Sequence, residues 1–128
     1  MTSIRFISGS LHGLLDYAAA LFLIAAPLIL NFQATSPLAL WLSVFAGLLL
    51  IAYSLIIDYG LSLFKIIPFN MHLALDALAG IALLIAPFLF GFEGLIRWFY
   101  LLNGIVVELL VLTTDPRISK VGVSQDSQ

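Results

Sequence analysis

Polar and apolar positions fall in blocks along this chain. Four apolar runs stand out, at about residues 11–30, 38–57, 71–90 and 95–112. None shows the one-sided polar stripe of a helix on a soluble core. A helix that is apolar all round belongs inside a large protein or a bilayer. Twenty residues at ~1.5 Å rise span ~30 Å, the thickness of a hydrocarbon core. The breaks between runs carry turn chemistry. NFQATSP separates the first two, and its Pro37 suits the first position of a helix. Asp58-Tyr59-Gly60 ends the second run. Gly91 is a C-cap candidate for the third, followed by Glu93-Gly94. Thr113-Thr114-Asp115-Pro116 ends the fourth, since Pro116 cannot continue a helix.

The runs are not independent. HGLLDYAAALFLIAAPLILNF at 12–32 and HLALDALAGIALLIAPFLFGF at 72–92 share His, Asp, Pro and Phe at a constant offset of 60. Trp41, Gly47 and Asp58 match Trp98, Gly104 and Asp115 at an offset of 57. The difference falls in the loop, where insertions and deletions are tolerated. The repeating unit is a helical hairpin used twice, from about 11–59 and 71–115. Each unit crosses an even number of times, so both copies face the same way, with a symmetry axis along the membrane normal. The expected fold is an all-α four-helix transmembrane bundle of two tandem hairpins. One membrane domain covers 1–116, and 117–128 is a polar, disordered tail.

Composition sharpens this picture. Of 128 residues, 62% are hydrophobic and 9% charged. A soluble domain carries about 25% charged residues. A cleavable leader is the rival reading of the first run, because Arg5 precedes it and Ala34 lies near a cleavage position. Leader h-regions are shorter, ~7–15 residues, and a disposable leader has no reason to match residues 72–92. The net charge of −2 with no basic run offers no footprint for nucleic acid. The chain has no cysteine, which excludes disulfides and thiolate metal sites.

Basic residues set the orientation. Arg5, Lys65, Arg117 and Lys120 fall on one side and Arg97 on the other, placing both termini in the cytoplasm. Trp41, Trp98 and Tyr100 then fall at the opposite face, where an aromatic belt belongs. In loop two, the apolar residues around Lys65 suggest a segment lying in the interface.

Six titratable groups, His12, Asp16, Asp58, His72, Asp76 and Asp115, come to the cytoplasmic end. His and Asp at i and i+4 share one helical face. Ionisable groups at membrane depth are costly and find partners. The first expectation is a structural clamp pairing His12 with Asp16 and His72 with Asp76, while Asp58 and Asp115 accept hydrogen bonds at helix ends. The alternative is a metal or proton site built from the same groups, as facing bundle helices can present ligands. The spacing is HxxxD rather than the ExxH of di-iron bundles. Haem ligation by His12 and His72 is weaker still, because nothing else marks a haem pocket. No cofactor is expected. Glu108, with Ile51 as its repeat partner, breaks the symmetry at membrane depth and is expected to pair with a histidine or stay protonated. Asn103, opposite Ala46, is expected to hydrogen-bond across helices. Pro27 and Pro87 should kink their helices. No phosphate loop, nucleophile elbow or HExxH appears, so an enzyme is not expected.

The His, the Asp, the apolar run, IAAPLILNF in copy one and IAPFLFGF in copy two together resemble the bacterial SPW-repeat integral membrane proteins. So do IIDYGLSLFKIIPFNMHLALD between the copies and WFYLLNGIVVELLVLTTDP at the end. The likeness covers roughly residues 10–116. It departs at the signature itself: Ala-Pro-Leu (26–28) and Ala-Pro-Phe (86–88) stand where Ser-Pro-Trp would be, and Asn31 stands where copy two has Gly91. The resemblance implies a four-span protein of two tandem repeats in a bacterial inner membrane, and carries no established activity. Two functions follow as expectations. One is a non-enzymatic scaffold or accessory subunit, meeting lipid and copies of itself or another membrane protein. The other is a small transport or metal-binding protein that uses the cytoplasmic His/Asp cluster.

Overall fold

The structure is a computed structural model and describes residues 5–56, 68–115, 118–120 and 123–124. Four long helices make up the body: α1 (Gly9–Ile29), α2 (Pro37–Ser54), α3 (Phe69–Phe90) and α4 (Gly94–Thr113). A short 3-10 turn, Phe32–Ala34, joins α1 to α2. All four helices are long and apolar enough to cross a membrane. Two short strands, β1 (Ile118–Lys120) and β2 (Val123–Ser124), pair antiparallel within the stretch that the sequence reads as a disordered tail. Asp58 and most of loop two lie outside the described residues.

The helix ends follow from local chemistry. Ser8 and Ser36 cap α1 and α2, their hydroxyls accepting from Leu11 N–H and Ala39 N–H at 3.1 Å. Pro37 occupies the first turn of α2, where a missing N–H costs nothing. At the other ends of α1 and α3 the chain turns through left-handed residues, Asn31 (φ 56°) and Gly91 (φ 70°). The one place where the two repeat cores differ in a turn residue is therefore a place where they share a backbone shape. Glycine takes φ > 0 freely, and asparagine tolerates it better than most residues.

Within each hairpin the helices approach closely through glycine. A Cβ added at Gly47 would lie 2.7 Å from Ala20 O and 2.7 Å from Ile24 Cγ1. One added at Gly104 would lie 2.9 Å from Gly80 O and 2.7 Å from Leu84 Cγ. Gly47 and Gly104, Ala20 and Gly80, and Ile24 and Leu84 are all repeat partners, so both hairpins use one packing solution. Small residues at the crossing let backbones approach, which is where helix packing in lipid gains its van der Waals energy.

Pro27 and Pro87 lie buried inside their helices, about one turn from the end. Each withholds the N–H that would bond the carbonyl four residues back. For Pro27 that carbonyl is Leu23 O, and the Ser43 hydroxyl donates to it at 2.7 Å. A hydroxyl from the neighbouring helix thus replaces the missing backbone donor. The repeat partner of Ser43 is Tyr100, which acts differently: its hydroxyl donates to Ala39 O at 2.5 Å and ties α4 to α2. Tyr100 is 1% exposed, so it is a core residue and not part of an aromatic belt. It fills the gap between hairpins together with Phe92 and Phe99. Trp41 and Trp98, at 59% and 67%, do face outward. Asn103 donates to Phe99 O on its own helix rather than across helices.

Candidate functional site

At the end of the bundle opposite Tyr100, the start of α1 and the start of α3 lie side by side. Parallel placement of the two hairpins brings His12, Asp16, His72 and Asp76 together, each at most 1% exposed. Their polar atoms form a ring of alternating nitrogen and oxygen. His12 Nε2 is 2.7 Å from Asp76 Oδ2, and His72 Nε2 is 2.5 Å from Asp16 Oδ2. The contacts within each helix are longer: 3.1 Å for His12–Asp16 and 3.3 Å for His72–Asp76. The expected pairs within each helix are present, and shorter contacts between the hairpins are added to them. The i,i+4 spacing brings each pair within reach, but the shortest bonds are exchanged between hairpins. The geometric reason is that facing helices aim their side chains directly at one another, whereas i and i+4 neighbours project in parallel.

Two residues that sequence reasoning missed complete the ring. The Tyr53 hydroxyl on α2 donates to Asp76 Oδ1. Thr114, just past α4, lies 2.8 Å from His12 Nδ1 through its Oγ1, and that same hydroxyl donates to Leu110 O at 2.6 Å. A hydroxyl has one proton. With that proton committed to Leu110 O, Thr114 accepts from His12 Nδ1–H. His12 Nε2 faces the carboxylate oxygens of Asp76 and Asp16. Phe69, one turn nearer the start of α3, stacks on His72 at 5.8 Å and meets His12 edge-on at 5.6 Å. Tyr53 had a detectable signal: its repeat partner is Leu110, so it breaks the symmetry as Glu108 and Asn103 do. Thr114 had none beyond its place beside Asp115.

Asp115 and Glu108 stay outside the ring. Asp115 is buried, and its backbone N–H donates to Ile7 O at 2.9 Å, while Ile7 N–H donates to Thr113 O at 2.9 Å. These bonds fasten the segment before α1 to the end of α4. Glu108 packs against Gly80, its Oε1 buried with no hydrogen bond among the described residues. The histidine partner expected for it is not found among those residues. The Ser54 hydroxyl is likewise buried without a described partner.

A family model, the SPW repeat domain, matches residues 10–114. The chain belongs to the SPW repeat domain family. No curated protein and no solved structure matches it. The matched span begins two residues before His12 and ends at Thr114, so the SPW domain contains the whole ring with its threonine. Four apolar helices and this membership make the chain a multi-pass membrane protein. In this SPW protein Pro27 and Pro87 are both buried.

The four ring atoms lie within 4.8 Å of one another, which is the clustering a metal requires. Bonds of ~2.0–2.1 Å around a tetrahedral zinc would set ligand atoms about 3.3 Å apart. The bonds between hairpins, at 2.5 and 2.7 Å, are shorter than that. A metal would need these side chains to draw apart by less than ~1 Å, whereas shared protons fit the spacing as it stands.

Proposed function

We propose that this SPW protein is a non-enzymatic membrane scaffold or accessory subunit in which the His/Asp ring is the clamp between two hairpins. The observation that carries this reading is the exchange of the shortest bonds between hairpins, His12 to Asp76 and His72 to Asp16. In lipid such cross-helix bonds add to helix association. The partners that suit this role are the bilayer, a second copy, or another membrane protein meeting the apolar outer faces. The surrounding membrane is a bacterial inner membrane, with both termini in the cytoplasm, on the side richer in Lys and Arg. Because the chain has no native cysteine, single cysteines test this topology. Replacing Ser3 should give labelling from the cytoplasm, and replacing Gln33 should give labelling from outside. The reverse pattern contradicts the orientation.

A second reading, that the ring binds a metal or another small ligand, is favoured by the convergence of its four ligand atoms. One comparison separates the two. Under the scaffold reading, Asp16→Ala or Asp76→Ala loses the folded bundle in detergent, and chelators leave the wild type unchanged. Removing one partner of a buried pair costs about 3–5 kcal/mol. Stoichiometric metal in the purified wild type, lost in the His12→Ala/His72→Ala double mutant, would replace the scaffold reading with the second.

A further inference from the structure

The two seams between hairpins are repeat-related, yet they are chemically different. Along the α1–α4 seam runs an open groove of about 460 Å³. Its wall includes Ala19, Phe22, Asn103 and Val106, and no carboxylate among the described residues. The polar ends of Asn103 and Thr113 are bonded to their own helix, at Phe99 O and Leu109 O. The α2–α3 seam holds a more enclosed cavity of about 220 Å³, with Ala79, Ala82, Phe45 and Leu49 on its wall. The repeat partner of Ala82 is Phe22, which in the other seam stacks on Phe99 at 5.5 Å. Alanine in place of phenylalanine removes a ring from the α2–α3 wall. Inside, the cavity reaches Asp16, Asp76 and Tyr53.

Charge separates the seams further. Asp16 makes its ring contacts through Oδ2. The hydroxyl that serves Asp76 Oδ1 has no counterpart for Asp16, because Leu110 stands at the repeat position of Tyr53. Two carboxylates, Asp16 and Asp76, line this cavity, and Glu108 is not on its wall. Glu108 Oε1 lies buried without a described partner, packed on Gly80 one turn along α3 from Asp76. The second oxygen of Asp16, beside an apolar cavity at membrane depth, calls for a cation or a donor.

We infer that the α2–α3 cavity is a binding site, entered from the lipid, for a lipophilic amine whose ammonium sits at Asp16 and whose apolar body lies along Ala79, Ala82 and Phe45. The cavity is smaller than the ~300–1,000 Å³ of sites that enclose a drug-sized ligand. It takes the head and first carbons of a chain, and the rest runs out into the bilayer past Phe45 and Leu49, which face outward. The inference is independent of the scaffold reading, because the ammonium adds to the ring without breaking it.

The probe is octylammonium, compared with octanol and octanoate, on the whole protein in a neutral detergent. Binding is read by calorimetry and by methyl NMR on alanine-labelled protein. Octylammonium is expected to bind about tenfold or more tighter than octanol, a difference of one ion-pair contact. It should shift the methyls of Ala79, Ala82 and Ala86 while leaving those of Ala18 and Ala19 in place. Ala82→Phe, which copies the other seam, should abolish binding with helicity unchanged. The NMR arm uses the wild type, so it stands if that variant misfolds. Equal binding of octanol and octylammonium, or shifts confined to Ala18 and Ala19, would overturn the proposal.

Discussion

His12 has a polar partner on every side: Asp76 at 2.7 Å, Asp16 at 3.1 Å and Thr114 at 2.8 Å. A buried polar group is stable in low dielectric only when its hydrogen-bonding capacity is used, and the penalty for an unmade bond exceeds the gain from a made one. The distances rank the partners. A double-mutant cycle between His12 and Asp76 should give a coupling near ~1–2 kcal/mol, the upper end for polar pairs in membranes. The cycle between His12 and Asp16 should give clearly less. Reversible unfolding in mixed micelles measures both. A larger coupling for the pair within one helix would contradict the exchanged bonding.

At the scale of the helix, the carbonyl that a proline leaves without its donor is served by a neighbouring helix. Pro27 frees Leu23 O, and Ser43 supplies the replacement donor at 2.7 Å. Ser43→Ala should therefore destabilise by about 1 kcal/mol, the net worth of an ordinary hydrogen bond. In a Pro27→Ala background the same change should cost much less, because the alanine N–H bonds Leu23 O directly. Equal costs in both backgrounds, read from the same unfolding assay, would remove the link between the two residues. The helix ends were largely legible in the sequence, since Ser, Pro and Gly mark them by local rules. The exception is the end of α2. The apolar run continues to Ile57, but the helix stops at Ser54. Hydrophobicity reports what lipid tolerates and does not report where backbone hydrogen bonding ends. The fate of the proline carbonyls was not legible either, because it depends on which helix lies opposite.

Across the whole molecule, four membrane-length helices in two matching hairpins follow from runs of apolar residues and two constant offsets. Such patterns survive because each helix must be soluble in lipid wherever it lies. The meeting of His12, Asp16, His72 and Asp76 at one end follows from hairpins that point the same way. Which imidazole meets which carboxylate did not follow. Spacing within a helix shows i,i+4 neighbours and is blind to the facing helix, so the within-helix pairs looked sufficient. Thr114 was hidden for a related reason, since it lies just past a helix with no ring residue of its own, and Tyr53 showed only as a break in the repeat. Tyr100 looked interfacial by position and is instead a tie between α4 and α2. The molecule is thus fastened between hairpins at both ends, by the ring at one and by Tyr100 with its aromatic neighbours at the other.

The exchange of bonds in the ring is the claim on which the rest stands, and nitrogen–carbon dipolar recoupling NMR in lipid bilayers tests it directly. The chain has two histidines, so ¹⁵N-histidine and ¹³Cγ-aspartate labels leave two imidazoles to assign. The account predicts that Asp16→Asn weakens the short contact of His72 and keeps that of His12, while Asp76→Asn does the reverse. Loss of the His12 contact in Asp16→Asn with retention in Asp76→Asn would show that each helix satisfies its own pair, and would contradict the clamp.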